Sequence, residues 1–179
     1  TSRSRASMTP KPKSAKPKSP YLISLKDVPV AVLLPKRVLK GGSVGAQIVY
    51  GEDSSVMVAT RAPGYHSTPH SHDAEQMNYV LEGELFIFIE DDGFLARKGD
   101  MFRIPRNAVH WSWVQGKTPC TLLEVHTPPL IGKPVNASQT VGLFARGEGK
   151  DRVVKVPTEW PKFERVAETE QRVMEHYRK

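Results

Sequence analysis

The residues best suited to chemistry are histidines, and five of the six, His66, His70, His72, His110 and His126, fall between positions 66 and 126. A neutral imidazole binds divalent cations and moves protons near neutrality. His70 and His72 are two apart, so an extended chain projects both from one face, and Gln76 keeps the same parity. Two imidazole nitrogens and one amide oxygen would make half of an octahedral shell. His110, after a turn at 105–107, opens a later segment that can add a further ligand. Glu75 is an alternative carboxylate ligand, although its parity is opposite. Glu124 and His126 share a strand face and are the candidate general acid or base, His126 being suited by the near-neutral titration of imidazole. The alternative for His126 is a rim side chain bonded to backbone. His66, four residues before His70 with the same parity, is a candidate substrate contact. Asn78 and Gln47 are candidates of the same kind, and Tyr79 is a candidate for the pocket wall. Arg61, Arg103 and Arg106 are either anion clamps or solvated surface cations.

These side chains need a scaffold that brings distant segments together. Short apolar–polar runs at 46–50, 55–61, 76–81, 84–90, 94–97, 101–104, 110–114 and 121–126, separated by turn residues such as Pro63-Gly64 and Asp91-Asp92-Gly93, predict an all-β sandwich or barrel. Segments 21–25 and 31–34 read as short edge strands limited by Pro29 and Pro35, and 152–156 as one more strand. In Leu85-Phe86-Ile87-Phe88-Ile89 both parities are apolar. One face should line the barrel and the other meet a sheet or a second subunit. Phe163, Val166, Ala167, Val173, Met174 and Tyr177 fall at helical spacing, predicting an amphipathic helix from about 162 that packs on the barrel or on a partner.

The spacing of the histidines carries a resemblance. Gly64, His70, His72, Gln76 and Gly83 follow the first motif of the cupin superfamily, with Gln76 where that family usually has Glu. Gly99, Pro105 and His110 resemble its second motif, with Asn107 replacing the usual Gly and tolerating the same left-handed backbone. The resemblance covers roughly residues 44–130. It implies a single cupin barrel (a double-stranded β-helix or jelly roll), to which the residues themselves add a C-terminal α-helix and an extended basic N-terminal tail. It also implies one divalent metal ion, zinc, nickel, iron, manganese or cobalt, held by His70, His72, Gln76 and His110. Three imidazoles and an amide would leave that site at a formal +2, favouring an anionic chelating substrate. The shell, the "GAQIVYGEDSSVMVATRAPG" lead-in and the "LLEVHTPP" exit resemble the small pectin-degradation cupins that act on ketouronates. In that family an Arg is expected where Leu130 stands, and an aromatic where His126 stands, so a carboxylate clamp is missing here.

Composition bounds the rest. The chain has 179 residues, with 26 Lys and Arg against 19 Asp and Glu, for a net +7. Six of the basic residues and none of the acidic ones lie in 1–19, so the other 160 residues carry 20 against 19. The charge belongs to a Pro/Lys/Ser-rich tail, read as disordered or extended, and not to the barrel. The expected organisation is a tail at 1–20, a barrel at 21–135 and an extension at 136–179. No apolar run spans a bilayer, no secretory signal pattern is present, and the single Cys120 has no disulfide partner, so a reducing cytoplasmic setting is expected. The expected partners are a small anionic substrate and a second copy in a homodimer, with neither nucleic acid nor membrane. A metal-dependent isomerase, lyase or cyclase leads the functional readings. An iron or copper dioxygenase and a non-catalytic small-molecule binder are the alternatives.

Overall fold

The computed structural model describes residues 19, 21–32, 38–130, 141–142 and 156–178. The basic tail and most of the strand expected at 152–156 lie outside the described residues. In chain order the elements begin with β1 (Ala31–Val32), β2 (Val38–Lys40), β3 (Val44–Tyr50), β4 (Ser55–Arg61), β5 (His66–Ser67), β6 (Ser71–His72) and β7 (Glu75–Glu82). There follow β8 (Glu84–Ile89), β9 (Asp92–Arg97), β10 (Met101–Ile104), β11 (His110–Trp113), β12 (Cys120–Thr127), β13 (Val141–Gly142), β14 (Thr158–Glu159) and α1 (Val166–His176).

The strands form two main sheets. One runs β1-β3-β4-β12-β7-β10, with β13 paired beside β3, and the other runs β2-β5-β11-β8-β9. Inward positions of both sheets, including Val44, Met57, Val80, Leu85, Ile87, Ile104 and Leu122, make one apolar core. Alternation is therefore what builds the barrel: in β12 every second residue is buried, and in β4 Ser55, Met57 and Ala59 are. Two turns show how tightly the chain is folded back. Gly83 has φ 78° between β7 and β8, and a Cβ there would stand 2.3 Å from the Pro119 carbonyl oxygen, so no side chain fits. Asn107 takes the left-handed conformation at φ 61° and donates its N–H to the His72 carbonyl, which places the chain for His110.

β8 is buried on both faces, as its sequence implies, but the outer face is closed by the chain's own helix. Phe86 and Phe88 cluster with Trp111 from β11 and with Val173 and Met174 from α1. Glu170 reaches from α1 into this layer. Its Oε1 accepts from Trp111 Nε1 at 2.8 Å and is 2.6 Å from His66 Nε2. The helix starts at Val166 and not at 162. The preceding residues are spent on anchoring: Phe163 packs on Trp111 at 5.2 Å between ring centroids, and Trp160 lies 5.3 Å from His70.

Segment 21–25 is not a strand. Tyr21 and Leu22 are exposed, and the chain continues into a 3-10 turn at Leu25–Asp27. That turn is pinned by Gln47, whose Nε2 donates to the carbonyls of Leu25 and Val28 at 2.7 Å each. Across the outer face of the β4-β12-β7-β10 region, Val56, Met77, Tyr79 and Met101 are 37–69% exposed. Registers Val56↔Val125↔Met77 and Tyr79↔Met101 make these side chains neighbours.

Candidate metal centre

The site lies at the end of the barrel where β6, β7, β11 and β12 meet. His70 and His110 are bridged by paired backbone hydrogen bonds, N–H to O in both directions at 3.0 and 2.9 Å. His126 stands opposite Gln76 in the β12–β7 register, and Glu124 opposite Asn78. Cross-strand pairing thus turns residues more than 30 positions apart into neighbours. The ring centroids of His70 and His110 are 4.2 Å apart, His72 and His110 4.9 Å, His70 and His72 6.3 Å, and His72 and His126 5.6 Å. Of the six residues expected to face inward, His72, Gln76, His110, Glu124 and His126 are buried and His70 is half-buried.

Three imidazoles share one local device. Nδ1 of His70 lies 2.8 Å from the Thr68 carbonyl, Nδ1 of His72 3.0 Å from that of Ala74, and Nδ1 of His110 2.9 Å from that of Ala108. Each carbonyl is two residues away and takes the Nδ1 proton. In the neutral ring this leaves Nε2 as the lone-pair nitrogen, the tautomer a metal ligand requires. Gln76 Oε1 stands 3.2 Å from His72 Nε2. Two acceptors at that distance suit a cation between them, since cis ligands about 2.1 Å from a metal are about 3 Å apart. The chemistry of the donor set fits a divalent cation. As the side chains stand, no group of three or more His, Cys, Asp or Glu among the described residues encloses an ion. The fit lies in the tautomers and the His72–Gln76 donor pair.

Behind the histidines is a charged layer. Arg61 Nη2 donates to Glu124 Oε1 at 2.7 Å, both side chains being nearly buried. Burial works most strongly against the Arg61 charge. The Glu124 carboxylate, with smaller help from Tyr65 and Cys120, outweighs it and holds the guanidinium above its ordinary pKa. The other carboxylate oxygen, Oε2, accepts from Gln76 Nε2 at 3.1 Å and lies 3.8 Å from His126 Nε2. Gln76 Nε2 also donates to Asn78 Oδ1 at 2.7 Å. Arg61 Nε and Nη1 and Asn78 Nδ2 are buried donors without a hydrogen bond in this wall. The cavity is about 40 Å³ and is lined by His70, His72, Gln76, Asn78, His110, Glu124 and His126 among others.

The remaining expected contacts lie elsewhere. His66 faces outward, bonded to Glu170 and stacked on Trp113 at 4.5 Å, so it is no cavity contact. The parity inference from His70 fails because Thr68 and Pro69 interrupt the extended chain between them. Gln47 is used by the N-terminal turn, and Tyr79 is on the outer sheet face. Glu75 also points outward and pairs with Arg103, and Arg106 pairs with Asp73 at 3.7 Å. Three participants were not foreseen as such. Arg61 is inside the barrel and not on the surface, while Thr158 of β14 and Trp160 come from the far end of the chain. β14 pairs with β6, setting Thr158 opposite His72. Only a pairing of β6 with the C-terminal segment could have flagged them, and no local pattern encodes it.

The two facing sheets have the fold of a single cupin barrel. Residues 57–126 match the cupin domain family. Among curated proteins the chain is similar to germin-like protein subfamily T member 2 of Arabidopsis thaliana, 36% identical over 87 residues, covering 45% of this chain and 40% of that protein. It is also similar to germin-like protein subfamily 2 member 2 of the same plant, 39% identical over 90 residues, covering 47% and 40% respectively. The chain thus spans about two fifths of the length of these relatives. Among solved structures, a predicted oxalate decarboxylase from Thermotoga maritima shares the fold with a TM-score of 0.54 at 16% identity, over 59% of this chain and 97% of that one. Among the described residues no helix is long and apolar enough to cross a membrane.

Proposed function

We propose that the protein is a metal-dependent enzyme acting on a small oxo- or hydroxy-acid or enol substrate by isomerase, lyase or cyclase chemistry, with His70, His72, Gln76 and His110 holding one divalent cation. The observation that carries this reading is a shared ring orientation: three imidazoles, His72 and His110 buried and His70 half-buried, each set Nδ1 against a backbone carbonyl two residues away, which in the neutral ring makes Nε2 the ligand atom. Bound there, a divalent cation would act as a Lewis acid on a carbonyl or hydroxyl oxygen. The protein's own part is to orient, dehydrate and move a proton. His126, buried beside His72 and 3.8 Å from Glu124, is the side chain suited to hold that proton at Nε2. Glu124 has both oxygens engaged and supports the site from behind. A cavity of about 40 Å³ accommodates only a few water-sized groups, which favours a small substrate over a sugar acid. A second copy is the proposed partner, on the apolar outer face of β4, β12, β7 and β10.

Metal analysis of protein purified without added metal tests the reading. Redox-silent zinc or nickel, with metal-dependent turnover on an oxo-acid and enol panel and no oxygen uptake, is expected. Substrate-dependent oxygen consumption with iron or copper would replace it with a dioxygenase. Absence of any metal-dependent turnover would leave a binding protein. Full metal occupancy after His70→Ala with His110→Ala would refute the ligand assignment.

A further inference from the structure

An amide is symmetric in shape, so only its partners decide which end points where. At Gln76 those partners are one-sided. Nε2 faces two acceptors, Asn78 Oδ1 at 2.7 Å and Glu124 Oε2 at 3.1 Å, and Oε1 is thereby turned to His72 Nε2 at 3.2 Å. Glu124 cannot swing away, because Arg61 holds its other oxygen at 2.7 Å. It lies on β12 directly opposite Asn78, two residues from Gln76 along β7, so the register itself sets the carboxylate beside the amide. A carboxylate at position 76 would face that of Glu124 across the same gap, like charge to like charge, in a buried wall.

We propose that Glu124, clamped by Arg61, is a positioning residue that fixes the Gln76 amide with its oxygen toward the histidines, and that position 76 is an amide because the carboxylate is supplied from the neighbouring strand. The proposal rests on the metal reading above. It makes a specific demand of an isosteric change. In Glu124→Gln only one oxygen remains for two donors, Arg61 Nη2 and Gln76 Nε2. If Arg61 takes it, an N–H faces Gln76, whose amide must turn over and withdraw its oxygen from the histidines. Exchanging the two residues, Gln76→Glu with Glu124→Gln, restores the Arg61 contact and the 76–124 contact, while Asn78 must turn its unbonded Nδ2 toward the new carboxylate. The new amide oxygen accepts from Arg61, and its N–H donates to the carboxylate at 76.

The test is cobalt(II) affinity, measured by competition with a chelating dye, together with the visible spectrum of the bound ion; neither needs turnover. Glu124→Gln is expected to weaken binding by about 10- to 100-fold and to alter the spectrum. The exchange variant is expected to return to wild-type affinity or better. A single variant within twofold of wild type, or an exchange variant no tighter than the single one, overturns the proposal while leaving the metal site standing. Wild-type protein that takes up no cobalt removes the metal reading, and this proposal with it. Should Glu124→Gln not fold, the exchange variant decides against wild type alone: equal or tighter binding supports the proposal and weaker binding overturns it.

Discussion

Replacing Glu170 by Ala isolates what the C-terminal helix contributes to the barrel. Its carboxylate is about nine-tenths buried and is the acceptor for Trp111 Nε1 at 2.8 Å and the partner of His66 Nε2 at 2.6 Å. Removing it strands two buried donors, each costing about 1–3 kcal/mol. Glu170→Ala should therefore lower stability by about 2–6 kcal/mol, or roughly 4–24 °C in Tm for a chain of this size. Glu170→Gln keeps one oxygen for both donors and should lose less than half as much. Guanidinium unfolding followed by tryptophan fluorescence reads the effect directly, because Trp111 and Trp113 both sit in this layer. A double-mutant cycle with Trp111→Phe should return a coupling of about 0.5–3 kcal/mol. If Glu170→Ala lies within about 0.5 kcal/mol of wild type, the helix is held by its apolar stripe alone and the bonding scheme is wrong.

Three further outcomes are expected. Burial, only partly countered by Arg61, pushes the Cys120 thiol up to about 11. It should therefore resist Ellman's reagent at pH 8 until the protein is unfolded. Because the folded thiol holds its proton more tightly than the unfolded one, its contribution to stability is full below about pH 9 and is lost as pH rises toward 11; Cys120→Ala should flatten this alkaline decline. Gly83→Ala should cost at least about 1–3 kcal/mol in chemical denaturation, since it forces a left-handed alanine against the Pro119 carbonyl. If two copies pair as proposed, wild-type protein has the mass of a dimer in light scattering and Met77→Glu, on the open face of β7, that of a monomer with little change in Tm; a monomeric wild type, or an unchanged mass in the variant, would refute that pairing.

Much of the barrel was legible from alternation. The runs at 55–61 and 101–104 coincide with β4 and β10, and the longer strands extend the expected ones by a residue or two. His70, His72, Gln76, His110, Glu124 and His126 come together because strand parity predicts a shared face wherever the chain is continuously extended. It fails at His66, where Pro69 breaks the run, and at 21–25, whose apolar side chains never find the core. The Arg61–Glu124–Gln76 chain depends on cross-strand register, which alternation does not specify. The Glu170–Trp111 bond and the Trp160–His70 contact join segments 59 and 90 positions apart, respectively, and no local pattern announces either.

The helix that covers the aromatic layer is also the last part of the described chain to be made. Glu170 follows Trp111 by 59 residues, so at ordinary rates of synthesis of about 5–20 residues per second the layer waits roughly 3–12 s for its cover. Through that interval Phe86, Phe88 and Trp111 face the translation machinery and its chaperones instead of α1. A ribosome stalled short of Glu170 holds a chain with all its main barrel strands made and one face still adhesive, so message-level delays in this last stretch would be read out as aggregation.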